Sequence, residues 1–163
     1  MINQNFVGQF NLQPKSKNLI TEGGLRTRGI FKKDAPDSVL VSVITVVRNA
    51  ADTIQRCINS VKEQTYPNVE HILIDGASND GTVKIISSNE QFLDYFISEP
   101  DSGIYEAMNK GLRLAQGRHI LMLNADDWLI SDGIRKLNEK ILEDNAHFAI
   151  GNANFVDEDG HHF

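Results

Sequence analysis

The feature that most narrows the fold is a repeated change of period. Three short apolar, largely β-branched runs, Val41–Val47, His71–Ile74 and His119–Leu123, stop abruptly at polar or acidic residues. Apolar positions at helical spacing follow each of the first two. Continuous apolar strands of this kind suit a parallel sheet covered on both faces better than an antiparallel sheet with one wet face. Strand starts near 41 and 70 fit the roughly 30-residue repeat of a β-α-β unit, whose right-handed crossover makes its strands parallel. The expected class is therefore α/β, Rossmann-like, with a mostly parallel sheet and helices on both faces.

Between the strands the local signals are specific. Asn49 is expected to cap the first helix, with Asp52 favouring its positive end and Ile54, Cys57, Ile58 and Val61 turned to the sheet. Tyr66-Pro67-Asn68 ends that unit. The turn Ser78–Gly81 leads to a short helix from Thr82 with Val83 and Ile86 inward, and Tyr95–Ser98 reads as a brief third strand. Asp101-Ser102 opens the next helix, with Ile104, Met108, Gly111, Leu112 and Ala115 as its stripe and Gly117 as its stop. Ser131–Glu143 reads as a surface helix capped by Ser131, with Ile134, Leu137 and Ile141 inward. Phe148–Val156 is strand-like, and Asp157–Gly160 reads as a hairpin turn in preference to a catalytic acid pair.

Composition removes several classes. A 163-residue chain that is 40% hydrophobic can build one core, and a single cysteine supports neither an internal disulfide nor a multi-cysteine zinc site. Cys57, on the inward stripe, is read as a core residue. His161 and His162 have no partners at metal-ligand spacing. No apolar run approaches the roughly 20 residues of a membrane span, and Met1–Phe10 lacks a basic-then-apolar leader, so the expected location is the cytoplasm. The net charge of -6 argues against broad nucleic-acid binding. It is unevenly spread: residues 1–40 hold six bases against three acids, so 1–39 reads as a basic N-terminal extension on a domain spanning 40–163. Arg26–Lys33 would be either a plain solvated extension, the simpler reading, or a contact for a phosphorylated acceptor or for anionic lipid headgroups at the inner membrane face.

Asp75 and the pair Asp126-Asp127 stand at strand carboxyl ends, the edge where open α/β sheets bind ligands. Adjacent acids at the end of a buried strand are costly unless a cation or hydrogen bonds compensate, which points to a held metal. Neither a Gly-x-Gly-x-x-Gly after the first strand nor a Gly-x-x-x-x-Gly-Lys-Ser/Thr is present. A diphosphate would have to be met by a carboxylate-held cation with Arg48 nearby.

Four segments together resemble the nucleotide-binding half of family 2 glycosyltransferases, of GT-A fold. Val41–Asn49 resembles the first strand and turn, Gln64–Asn68 the linker, Ile74–Thr82 the "DDGSxDGT" segment and Leu123–Asp127 the "DxD" region. Glu99–Gly111 further resembles a bacterial subgroup of surface-polysaccharide enzymes of the colanic-acid type. The resemblance implies that Val46 and Arg48 line the base and ribose, and that Asp75 accepts from a uracil or guanine ring N–H. It also places Asn109, Asn124, Ala125 and Asp126 at the nucleotide sugar, although Asn109 reads equally well as a polar helix residue. Asp126 would hold Mn²⁺ or Mg²⁺ against the diphosphate, with Asp127 as a neighbouring ligand or water orienter. The simpler reading of Asp126-Asp127 is a helix cap before Trp128.

The implied activity is inverting transfer from a UDP- or GDP-linked sugar to a glycan or lipid-linked acceptor. The chain departs from the pattern at Asn124, where the first acid of "DxD" is common, and at Gly76 and Ala77, where Asp and Gly are common. The family's acceptor half and general base lie beyond position 163, so no residue is assigned as base and the chain is expected to end within the domain. Two other readings follow: an inactive nucleotide-sugar-binding or partner-binding remnant, and a receiver or phosphatase-type phosphotransfer domain. Asn124 in place of a nucleophilic Asp speaks against the latter.

Overall fold

The computed structural model describes residues 17–156. Lys15, Met1–Phe10, the Asp157–Gly160 turn and His161-His162 lie outside them. Five strands form one sheet in the order β1 (Thr21–Gly23), β4 (Tyr95–Ser98), β3 (Val69–Asp75), β2 (Val41–Val47), β5 (His119–Asn124). β2 to β5 are parallel, and β1 closes one edge antiparallel to β4. The register sets Val46 beside Ile74 and Asn124, so β2, β3 and β5 end together.

Alternation sorts β2 onto two faces. Val41, Val43 and Val47 join Leu73, Phe96 and Leu123 under Ile54, Cys57, Ile58 and Val61 of α1 (Ile54–Lys62), Ile86 of α2 (Thr82–Ser88) and Ile134 of α4 (Gly133–Glu143). Ile44 and Val46 join Ile72 and Ile74 under Ala107, Met108 and Leu114 of α3 (Ile104–Leu114) and Ala115 just beyond it. Gly111 permits this approach, because a Cβ there would stand 2.3 Å from Ile44 Cγ2. The helix therefore turns slightly from its expected stripe: Ala107, Met108 and Gly111 face the sheet, while Ile104 and Leu112 are exposed.

Among the described residues β5 lies at the edge of the sheet, with Ile120 and Met122 exposed on the side that α3 leaves open. Three further expectations are corrected. Asn49 does not cap α1, which starts at Ile54 after Thr53; Ser131 likewise gives way to Asp132 at α4. Phe148–Phe155 pairs with no described strand and leaves Phe148, Ile150 and Phe155 exposed.

The N-terminal region is the larger surprise. Residues 21–23 pair with β4, and Arg26, in the short helical turn Leu25–Arg28, is buried. Its guanidinium pairs with the buried Glu70 carboxylate and donates to Leu114 O at 2.6 Å. Glu70 also accepts from Ser42 Oγ at 2.5 Å and from Gln116 N at 2.7 Å. Lys32 lies 2.9 Å from Asp94, whose other contacts include the backbone N–H of His71. Arg26 and Lys32 thus leave the basic patch, and Arg28 and Lys33 remain exposed. A buried charge pair this well bonded was not predictable from local composition.

Three measurements follow. Glu70→Ala strands a buried guanidinium, so urea unfolding should show a loss of about 3–5 kcal/mol, whereas a loss below about 1 kcal/mol would refute the clamp. His71, buried against Thr45 Oγ1 at 3.0 Å, has its pKa pushed down to about 3 by burial and then by Lys32. The unfolded chain therefore takes up a proton below the ordinary value near 6.5 that the native chain refuses, and stability falls as pH drops from there toward 3. His71→Gln should flatten that fall by up to about 1.4 kcal/mol per pH unit. Ala77 sits at φ 57, a left-handed conformation that favours glycine, so Ala77→Gly should raise the unfolding free energy by about 1 kcal/mol.

Candidate functional site

The carboxyl ends of β2, β3 and β5 open onto one edge carrying the loops 48–53, 76–81 and 125–132, with the 99–103 turn after β4 beside them. The first two loops are laced together. Ser78 Oγ accepts from Asn49 N at 2.8 Å, and Asn49 Oδ1 accepts from Asn79 N at 2.9 Å. Asp80 accepts from Ala51 N at 3.0 Å and, through its other oxygen, from Thr82 N and Oγ1. These bonds, the Thr82 hydroxyl first, hold its carboxyl below the usual range. Asn49 makes this reach from a left-handed φ of 52. Sequence reasoning saw a turn here without seeing that Asp80 joins the two loops.

Asp75 is fully buried, and both its oxygens are used. Oδ1 accepts from Ser78 Oγ; Oδ2 accepts from Ser78 N at 3.0 Å and Ser98 Oγ at 2.6 Å. Val46 is buried in the cluster beneath α3, and Ala125 in the cluster beneath α1. Arg48 is exposed at the end of β2, and Asn109 is exposed on α3. Asn124, Asp126 and Asp127 are brought together, all exposed, at the end of β5. Asn124 Nδ2 donates to Asp127 Oδ2 at 3.2 Å, and Asp127 N donates to Asn124 O at 3.1 Å.

The exposure of Asp126 and Asp127 corrects one step of the sequence argument, because water screens their charges and no burial cost demands a cation. Fit to a cation rests on other grounds. Asp126 has no hydrogen-bond partner among the described residues, and no group of three or more His, Cys, Asp or Glu there forms a closed cage. One or two carboxylates that leave the remaining positions to phosphate oxygens and water are what Mg²⁺-type sites use with nucleotide substrates. The residues fit such a shared site.

Support for the β5 end comes from α1. Cys57 Sγ donates to Asn124 O at 3.5 Å, and burial pushes its thiol up to about 11, as expected of an inert core residue. The Arg56 guanidinium stacks 3.2 Å from the Trp128 ring centre. That pair went unseen because 56 and 128 meet only in the fold. A cavity of about 310 Å³ lies between Arg118–Leu121, α4 and His147–Ala149. It sits toward the amino end of β5, away from these loops.

The model of glycosyl transferase family 2 matches residues 42–163. The UDP-Glc:α-D-GlcNAc-diphosphoundecaprenol β-1,3-glucosyltransferase WfgD of Escherichia coli is 33% identical over 121 residues, 74% of this chain and 48% of that protein. The crystal structure of Staphylococcus aureus TarS 1-349 with UDP-GlcNAc superposes with a TM-score of 0.60 at 20% identity. It covers 72% of this chain and 38% of the other. The mannosyltransferase PcManGT of Pyrobaculum calidifontis, in complex with GDP-Man and Mn²⁺, gives a TM-score of 0.52 at 27% identity over 63% of this chain and 33% of its own. The match spans about half the length of WfgD, as it does of the putative teichuronic acid biosynthesis glycosyltransferase TuaG of Bacillus subtilis, which is 36% identical over 74% of this chain. Its α/β sheet is that of the GT-A enzymes, and the chain belongs to glycosyl transferase family 2.

Proposed function

We propose that the carboxyl edge of this sheet holds a nucleoside diphosphate sugar together with Mn²⁺ or Mg²⁺. In the full enzyme the sugar passes with inversion to a glycan or lipid-linked acceptor of cell-surface polysaccharide synthesis. The observation that carries the reading is Asp126, exposed and unpartnered among the described residues at the end of β5, beside an Asp127 steadied by Asn124. A bound cation would supply positive charge for the diphosphate as it departs. Arg48, exposed at the neighbouring strand end, adds a second cationic contact. Support from relatives is of the same kind: a UDP-sugar donor and a lipid diphosphate acceptor in one name, and a GDP-sugar with Mn²⁺ in one structure.

Asn124 keeps the geometry of the first "DxD" acid but not its charge, so cation affinity without nucleotide should be weak. The same substitution favours a second reading, a domain that binds the donor without turning it over. Release of nucleoside diphosphate from donor with acceptor extract separates the two, because only the transferase reading gives release above the no-acceptor control.

Titration calorimetry of UDP and GDP, with Mn²⁺ and with chelator, tests the binding site itself. One nucleotide should bind with Mn²⁺, and chelator or Asp126→Ala should weaken it by about tenfold or more. A folded chain that binds neither nucleotide sinks the reading.

A further inference from the structure

Asp75, the acid that the family resemblance assigns to the nucleobase, is closed off from it by burial. Its carboxylate is fully buried, and its two oxygens already accept three hydrogen bonds from Ser78 and Ser98. A base N–H could reach it only by displacing the serines that shape the 76–81 loop. The next position, Gly76, offers no side chain of its own.

Another carboxylate fills that place. A Cβ built on Gly76 would lie 2.6 Å from Asp101 Oδ2 and 3.4 Å from Oδ1, so the Asp101 side chain rests against the bare Gly76 backbone, in the room a residue-76 side chain would take. Asp101 Oδ1 accepts from Gly103 N at 2.9 Å, and among the described residues nothing donates to Oδ2. The turn is fixed from α3, where Lys110 Nζ lies 2.8 Å from Glu99 Oε1 and 3.4 Å from Pro100 O. Asp101 is half-buried, which leaves a face open to a ligand at the mouth of the site.

From this placement we infer that Asp101, and not Asp75, is the carboxylate that reads the nucleobase, accepting a ring N–H through Oδ2. The inference rests on the donor-site reading above and deepens it. Uracil and guanine present a donor N–H on the edge where cytosine and adenine present a lone pair, so an ionised acceptor selects the first two and repels the others. Gly76 is part of the device, because any side chain there would displace Asp101. Asp75 then serves as a positioning residue for the loop.

The test is a base-preference ratio. The full chain with Mn²⁺ is titrated with UDP, GDP, CDP and ADP, as wild type, Asp101→Asn and Asp101→Ala. Wild type should prefer UDP over CDP, or GDP over ADP, by about tenfold or more, the discrimination expected of one charge-assisted hydrogen bond. Asp101→Asn retains the size and the acceptor for Gly103 N, but an amide can donate as well as accept. The preference should therefore shrink to about threefold or less while Mn²⁺ dependence persists. Both variants keeping the wild-type ratio overturns the inference and leaves the donor site standing. Wild type binding no nucleoside diphosphate removes both. Thermal unfolding of each variant accompanies the titration, and Asp101→Asn carries the result should Asp101→Ala fail to fold.

Discussion

One buried carboxylate, Glu70, ties together parts of the chain that would otherwise be independent. From the start of β3 it takes the Arg26 guanidinium, the Ser42 hydroxyl of β2 and the Gln116 amide beyond α3. Arg26 in turn holds Leu114 O at the end of α3. Edge strand, central strands and the helix beneath them are thereby locked at the amino ends of the strands, opposite the candidate site. Such a pair has no reason to be more stabilising than apolar packing of the same volume, but it tolerates only one arrangement of its partners. The rigid end leaves variation to the loops at the other.

Those loops solve a separate problem, which is to present charge at a strand end without burying it. Asp75 is taken inward and held by hydrogen bonds, Asp80 is spent on joining two loops, and Asp126 and Asp127 stay in water. Four carboxylates on one edge thus have three different environments. The division follows from position: Asp75 closes β3 and is buried under its own loop, whereas Asp126 and Asp127, two and three residues past the end of β5, are exposed.

Much of this was legible. The parallel strands, the helices that cover them and the meeting of Asp75 with Asp126 on one edge all follow from runs of apolar residues and their abrupt ends, since burial on two faces leaves a plain periodic trace. Gln64–Asn68 was recognisable as a linker, and its work is visible only in three dimensions: Gln64 Oε1 accepts from Ile134 N, and Asn68 reaches Ser38 O. What could not be read were contacts between distant positions. Arg26 looks like any surface base until Glu70 is placed beside it, and Asn49 satisfies the pattern of a helix cap while its side chain serves the neighbouring loop. Asp75 reads locally as a strand end and Asp101 as a helix start, and no local window sets the two side by side; burial and the bare α-carbon of Gly76 separate their roles.

The pairing of β1 with β4 also sets a clock. Glu22 meets the Tyr95 hydroxyl 73 residues downstream, and Arg26 meets Glu70 44 residues downstream. At roughly 5–20 residues per second of synthesis, the first strand waits about 4–15 seconds for its neighbour to emerge. During that interval Arg26 is solvated and costs nothing. Its polarity keeps the waiting segment in water until the sheet that will bury it exists.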